Sequence, residues 1–412
     1  MALLDELEGA MPGQRSHVPS GDRFRYENGM TLPADLPPPD ATLYLRPIWF
    51  ADTPVGLAES DVRRLAGGLI WFQAVEVRWI DGTDASGKAQ VPLGLLDRWQ
   101  AGLSDRQAER IDGLMAGLTA SRAPLTLGER IVRFDTPQVM GILNMTPDSF
   151  SDGGKHVDAP ERAADAGFAM QLAGASIIDV GGESTRPGAA PVWEGDEIER
   201  TVPVIQRLAR SGIVVSIDTR KASVMEAALA AGAGIVNDVT GLTHDPRALE
   251  VVAAAGCPVI LMHTPSAGED PHGGAVRYKA DAVVDGAADL AVFDWLEARI
   301  AVCLAAGVQR ERIIVDPGIG FGKALQDDTR IINNLPMYHG LGVPILFGAS
   351  RKRIVGALTD GAPVDQRLGG SVALALTAIS AGAQIVRVHD VQESVQAARV
   401  WRGLRDAALV AG

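Results

Sequence analysis

Cysteine is nearly absent from this chain of 412 residues. The two present, Cys257 and Cys303, cannot build a disulfide framework and lack the clustered spacing of a zinc site, so a reducing compartment and a cytoplasmic address are expected. Basic residues are outnumbered: 38 Lys and Arg face 51 Asp and Glu, a formal net charge of −13 at pH 7. Neutralising phosphates along a strand needs a basic face, so a general nucleic-acid binder is disfavoured. Long apolar runs are missing as well. The nearest approaches, Val251 to Gly268 and Leu368 to Val386, are broken by Pro258, Pro265, Ser371, Thr377, Gly382 and Gln384, and no membrane helix is expected. The opening Met1-Ala-Leu-Leu-Asp-Glu-Leu-Glu is acidic where a secretory leader carries a basic segment and an apolar core. What remains, 47% hydrophobic and 22% charged, suits a soluble globular protein. The length fits two or three domains, or one barrel of about 250 residues with an extension.

The chain divides by rhythm. Residues 1–40 are rich in Pro, Gly and charge, with Pro33, Pro37, Pro38 and Pro39 close together, and read as a flexible arm. Residues 41–123 read as a small α+β module: a strand from Leu43, a capped helix over Ser60 to Leu69, a second strand-like run from Gly68 to Ile80, and a helix over Ser104 to Leu118. Trp49, Phe50, Trp71, Phe72 and Trp79 are expected to form its core, and Ala123-Pro124 its boundary. Over residues 125–412 short β-branched runs alternate with alanine-rich helical segments eight times, the signature of a (β/α)8 barrel. The strand-like runs are Val139–Asn144, Ser176–Val180, Ile213–Asp218, Gly234–Asn237, Pro258–His263, Arg312–Asp316, Val343–Gly348 and Gln384–His389. Leu127 to Phe134, with its Gly128-Glu129 turn, reads as a hairpin closing the lower end.

Chemistry in such a barrel belongs to the carboxyl ends of the strands. Here those ends carry Asn144, Asp179, Asp218, Asn237-Asp238, His263, Asp316, Ser350-Arg351-Lys352, and Arg387 with His389. Any one of them is more readily a helix cap than a ligand group, but eight on one rim suit a polar substrate held from several sides. The loop Gly141 to Gly154 is long and rich in hydroxyls, as a closing lid would be. Asp179 to Gly188 offers backbone N–H groups, two hydroxyls and Arg186 to phosphate oxygens, although a capped surface turn has the same composition. Pro317-Gly-Ile-Gly-Phe-Gly-Lys323 fails as a nucleotide loop, because Pro317 replaces the leading Gly and Ala324 the final Ser or Thr. Arg387 and His389, two apart on one strand, share a face and suit an anion.

These loops resemble the signatures of the dihydropteroate synthase family: Met140-Gly-Ile-Leu-Asn-Met-Thr-Pro-Asp-Ser-Phe-Ser-Asp-Gly-Gly154 and Ile178-Asp-Val-Gly-Gly-Glu-Ser-Thr-Arg-Pro-Gly188. Ser216-Ile-Asp-Thr219, Asn237-Asp-Val239, Asp316-Pro-Gly-Ile-Gly-Phe-Gly322, Ser350-Arg-Lys352 and Arg387-Val-His-Asp-Val391 continue the resemblance in the family's order. It covers about Leu125 onward and leaves the first module outside, where no motif of the pyrophosphokinase sometimes fused to this enzyme occurs. The resemblance implies condensation of 6-hydroxymethyl-7,8-dihydropterin diphosphate with 4-aminobenzoate, giving 7,8-dihydropteroate and pyrophosphate, assisted by Mg2+ and carried out by a homodimer. It implies catalytic roles for Asp218, Lys352 and Asn144 and a pterin pocket of Asp218, Asn237, Met262, Asp316 and Lys352. The diphosphate falls to Asn144, Thr185, Arg387 and His389, with Asn144 also at the metal. The arylamine falls to Pro147, Phe150, Thr185, Arg186, Pro187, Phe321 and Arg353. Arg353 stands where many members carry a small hydroxyl residue, and the segment after Met262-His263, with His272, departs from the family's pattern. A pterin-binding methyltransferase domain that needs no diphosphate site and a catalytically silent paralogue are the alternatives, both less well matched to the two hydroxyl-rich loops and the complete rim.

Overall fold

The structure is a computed structural model describing residues 33, 35–81, 85–145, 159–184, 191–265 and 287–410. The expected arm therefore lies almost wholly outside the described residues. Near the start, β1 (Thr42–Ala51), β2 (Arg63–Arg64), β3 (Trp71–Asp81) and β4 (Ala85–Pro92) form an antiparallel sheet around β3. A short helix, α1 (Leu96–Gln100), leads to α2 (Asp105–Thr119). The side chain of Gln107 accepts the Ser104 N–H at 3.3 Å, tying off the first turn of α2, while Ile111, Leu114 and Leu118 form its buried stripe.

Two expectations for this extension are corrected. Ser60 to Leu69 is not a helix: Glu59–Asp61 makes one 3-10 turn, Arg63 and Arg64 pair with Phe72 and Trp71 as β2, and the chain turns at Ala66 and Gly67, both at positive φ. Two consecutive glycines weaken a helix there, whereas β2 gains ladder bonds and lays Arg64 over the Trp71 ring at 5.7 Å. Of the five expected core aromatics, Trp71, Phe72 and Trp79 are buried, but Trp49 and Phe50 are 40% and 45% exposed. Trp49 has φ 54°, which takes the end of β1 out of regular pleat.

The barrel is preceded by a hairpin of β5 (Leu125–Leu127) and β6 (Arg130–Val132), turning at Gly128 with φ 60°. Then come β7 (Gln138–Asn144), α3 (Ala159–Leu172), β8 (Ile177–Gly181), α4 (Glu194–Arg210), β9 (Val215–Asp218), α5 (Ala222–Ala231), β10 (Ile235–Asp238), α6 (Ala248–Ala255) and β11 (Val259–Met262). They are followed by α7 (Ala288–Ala305), β12 (Ile313–Asp316), α8 (Leu325–Asn333), β13 (Leu346–Phe347), α9 (Arg353–Leu358), α10 (Leu368–Ser380), β14 (Ile385–Val388) and α11 (Val391–Val410). The parallel strands run in the order β12, β11, β10, β9, β8, β7, β14, β13. A bridge between Val315 and Ile345, with the Val315 N–H donating to Pro344 O at 3.0 Å, joins the two ends into a closed (β/α)8 barrel. Leu125, Val132 and Phe134 pack against Met140, Ile177, Val214, Ile235, Ile260, Ile314, Leu346 and Ile385, so the hairpin plugs the lower end. Among the described residues no helix is long and apolar enough to cross a membrane.

The extension is seated on the barrel. Three side chains reach along α7: Tyr44 Oη donates to Asp294 at 2.8 Å, Arg78 pairs with Asp289, and Arg110 with Glu297. Asp289 is fully buried and also accepts from Asn334 Nδ2 at 2.8 Å. Farther along, α2 lies so close to the 3-10 turns at Leu335–Leu341 that a Cβ on Gly117 would stand 2.2 Å from the Gly340 carbonyl oxygen. Arg122 Nη2 bridges the same contact, donating to Gly117 O at 2.9 Å and His339 O at 3.0 Å.

Candidate active site

Strand parity selects the residues that reach the barrel interior. Side chains two apart share a face, so the plug layer of Ile177, Ile235, Ile260, Ile314, Leu346 and Ile385 places Asp179, Asn237, Met262, Asp316, Gly348 and Arg387 one layer above it. Val214 leads in the same way through Ser216 to Asp218, and Met140 through Ile142 to Asn144. Most of the residues expected at the pterin and at the diphosphate thus line one layer and the rim above it. The adjacent Asp238 has the opposite parity, and its carboxylate accepts from Thr240 N and Oγ1, both at 2.7 Å, and from Leu242 N at 3.1 Å. It shapes a turn outside the interior.

Arg387 is the hub. Its Nε donates to Asp179 Oδ2 at 2.6 Å and its Nη2 to Asp218 Oδ2 at 2.7 Å, while Asn237 Nδ2 donates to Asp179 Oδ2 at 3.1 Å. In the sequence Asp179 stands as one rim position and the start of the second loop, without a site role; the apolar residues on both sides of it, Ile177-Ile178 and Val180, are the signal that it is buried and so partnered. Burial pushes Asp218 well above the usual carboxylate range; Arg387 opposes and Asp179 reinforces the shift. Arg387 is held charged: burial opposes, but Asp179 and Asp218 raise its pKa further. The point where a Cβ on Gly181 would stand is 3.5 Å from Asp218 Cβ, 3.6 Å from Asn144 Oδ1 and 3.7 Å from Asp218 Oδ2, so the Asn144 and Asp218 side chains both stand beside Gly181 at the strand ends. His389 accepts no random orientation: Ser350 Oγ lies 3.1 Å from its Nδ1 and accepts its backbone N–H at 3.2 Å.

The opposite wall is built by the glycine-rich turn after β12. Gly318 N–H donates to Asp316 Oδ1 at 2.7 Å, and Lys352 Nζ donates to Ile319 O at 2.7 Å while lying 4.3 Å from the Phe321 ring centre. Burial raises Asp316, with Lys352 and the Gly318 N–H opposing. Burial likewise lowers the Lys352 ammonium to about 8, with Asp316 opposing. Met262 is 3% exposed. His263, next along, packs edge-on against Trp295 of α7 at 5.1 Å and is held neutral, burial and then Lys323 lowering its pKa.

Of the residues expected at the arylamine, Phe321 is half-buried beside Lys352, and Arg353 is exposed as the first residue of α9. Pro147, Phe150, Thr185, Arg186 and Pro187 lie outside the described residues, as does His272. The stems of the second loop are described. Glu183 Oε1 accepts the Val192 N–H at 2.9 Å, Lys221 Nζ donates to Val192 O at 2.8 Å, and Arg220 pairs with Glu183 at 3.2 Å. Among the described residues no group of three or more His, Cys, Asp or Glu is placed to hold a metal ion.

A family profile described as pterin binding enzyme matches residues 140–389. The dihydropteroate synthase of Bacillus subtilis is 43% identical over 263 residues, 64% of this chain and 86% of the relative. That of Escherichia coli is 44% identical over 268 residues, 64% of this chain and 90% of the relative. Among solved structures, Xanthomonas albilineans dihydropteroate synthase with 4-aminobenzoic acid has a TM-score of 0.63 at 43% identity, covering 69% of this chain and 99% of its own. A second structure of that enzyme, in complex with 7,8-dihydropteroate, has a TM-score of 0.59 at 40% identity, with the same coverage.

Proposed function

We infer the chemistry from one premise: the chain belongs to the pterin-binding enzyme family, within its dihydropteroate synthases. It is a transferase that joins the methylene of 6-hydroxymethyl-7,8-dihydropterin diphosphate to the amine of 4-aminobenzoate, releasing pyrophosphate and forming 7,8-dihydropteroate. The observation that carries the residue assignment is the inward layer of Asn237, Asp316 and Arg387, with Asp218 joined to Arg387 from the rim above it and Lys352 beside Asp316's turn.

A pterin edge alternates ring N–H and C=O groups, and carboxylates at Asp218 and Asp316, the Asn237 amide and the Lys352 ammonium supply complementary acceptors and donors around a wall formed by Met262. The diphosphate tail then points to the β7, β8 and β14 ends, toward Asn144, Thr185, Arg387 and His389. Arg387 arrives pre-aimed because two carboxylates hold it, and His389 because Ser350 does. As the C–O bond breaks, positive charge develops on the pterin methylene, and Asp218 is the nearby carboxylate that stabilises it. No strong general base is needed: the arylamine is already neutral and attacks through its own lone pair, and the acidic anilinium proton formed with the C–N bond passes to water or to the released pyrophosphate. Phe321 and Arg353, with Pro147, Phe150, Thr185, Arg186 and Pro187, are assigned to the 4-aminobenzoate.

A magnesium ion fits this rim. Mg2+ prefers oxygen donors and keeps several waters, so it needs only one or two protein oxygens beside substrate phosphates. Asn144 Oδ1, beside Gly181 at the end of β7, would supply such an oxygen. When bound, the ion would neutralise the charge that leaves with pyrophosphate. Assembly as a homodimer belongs to the same proposal and is read from the mass of the chain in solution. The decisive experiment is a coupled pyrophosphate-release assay with the pterin diphosphate and Mg2+, with and without 4-aminobenzoate. Arylamine-dependent release together with dihydropteroate formation is expected; a chain that is folded yet gives neither fails the proposal.

A further inference from the structure

The roles above leave Lys323 without a task, although it is only 3% exposed. Its ammonium donates to three backbone carbonyls, Gly318 O at 2.7 Å, His263 O at 3.2 Å and Phe321 O at 3.3 Å. Burying an ammonium is costly unless its donors are matched, so an arrangement of this kind fixes the geometry of what it joins. The three acceptors come from two segments, the residue after β11 and the glycine-rich turn after β12. Those segments touch tightly: Gly318 has φ 71°, and a Cβ there would stand 2.0 Å from His263 O and 3.1 Å from Lys323 Nζ. The turn in question is the one that orients Asp316, through the Gly318 N–H, and Lys352, through Ile319 O and the Phe321 ring. Asp328, accepting the Gly320 N–H at 2.9 Å, braces the turn from its other side.

We propose that Lys323 is a positioning residue of the pterin pocket: by tying the glycine-rich turn to His263, it sets where Asp316 and Lys352 meet the heterocycle. The proposal rests on the pterin reading of that wall. Burial lowers the pKa of Lys323 to about 7, Asp328 and Asp316 opposing, which accords with an ammonium whose acceptors are carbonyls rather than a dedicated counter-ion.

The test is calorimetric titration of the full chain with 6-hydroxymethyl-7,8-dihydropterin diphosphate and no arylamine, on the parent, Lys323→Met and Lys323→Gln, beside their melting curves. Stoichiometry reports the folded fraction, and Kd reports pocket geometry. Lys323→Met is expected to weaken Kd about tenfold or more per intact site, the loss that goes with one charged hydrogen bond from Asp316 or Lys352 to the heterocycle falling out of line. If Met does not fold, Lys323→Gln, whose uncharged amide nitrogen ends one bond short of the three carbonyls, gives the same readout. Either folded variant melting lower but binding the pterin with the parental Kd overturns the proposal and leaves Lys323 a stabilising residue only. A parent chain that binds no pterin fails the synthase reading itself, an outcome distinct from parental binding by the variants.

Discussion

Replacing Asp218 by Asn separates catalysis from folding. The substitution keeps shape and removes one negative charge beside the methylene where positive charge develops. Opposite charges about 4 Å apart in an effective dielectric of about 20 attract by about 4 kcal/mol. At about 1.4 kcal/mol per decade, kcat falls roughly a thousandfold. Stability should respond in the other sense. Burial raises the folded-state pKa of Asp218 above its unfolded value, so this group's contribution is full below the unfolded pKa and is lost as pH rises through the folded one. An uncharged amide has no such loss, and Arg387 keeps Asp179 as its partner. Single-turnover dihydropteroate formation at pH 8, with calorimetric melting of the same samples, measures both. The expected pair is a collapse of turnover with a midpoint unchanged or slightly raised. Turnover within tenfold of the parent refutes the role given to Asp218; a large drop in melting temperature refutes the burial argument.

The acid limb of the parent's kcat profile should lie above the ordinary Asp range, since Asp218 must be ionised, and Asp218→Asn should abolish that limb; stopped-flow turnover from pH 5 to 9 reads it. Chelation with EDTA should stop turnover and added Mg2+ restore it, and Asn144→Ala should raise the Mg2+ concentration needed for half-maximal rate, followed by metal titration of the rate. Arg78→Met leaves the fully buried Asp289 carboxylate with Asn334 as its remaining side-chain partner, and should destabilise the chain by about 3 kcal/mol in urea titration. Gly318→Ala combines a positive φ with a 2.0 Å approach to His263 O, so thermal melting should fall and pterin affinity with it.

Most of the barrel was legible because each strand is a short apolar run ending in a polar residue, and burial on both faces makes such runs unmistakable. Asn237, Asp316 and Arg387 are legible as polar residues at or next to the ends of such runs, and in the fold they stand two residues above Ile235, Ile314 and Ile385 of the plug. Asp179 escaped as a site residue because β8 continues to Gly181, placing this carboxylate a layer deeper than a strand end. Lys323 escaped for a different reason: in sequence a lysine beside a helix start looks solvated, and only the fold shows its acceptors to be carbonyls from two segments. The Ser60 to Leu69 stretch was misread because sheet pairing with Phe72 and Trp71 overrides its local pattern. The two hydroxyl-rich loops are legible as motifs in the sequence, and their central residues lie outside the described residues.

The amino-terminal sheet is tied to α7 through buried charge. Asp289 sits in the interior beside an arginine supplied from the extension, and a Cβ on Gly117 has no room against the Gly340 carbonyl. Cutting the chain before Leu125 would strip Arg78 from the buried Asp289 carboxylate and uncover the faces of α7 and of Leu335–Leu341 on which the extension packs, so the barrel and its first module behave as one unit in any truncation.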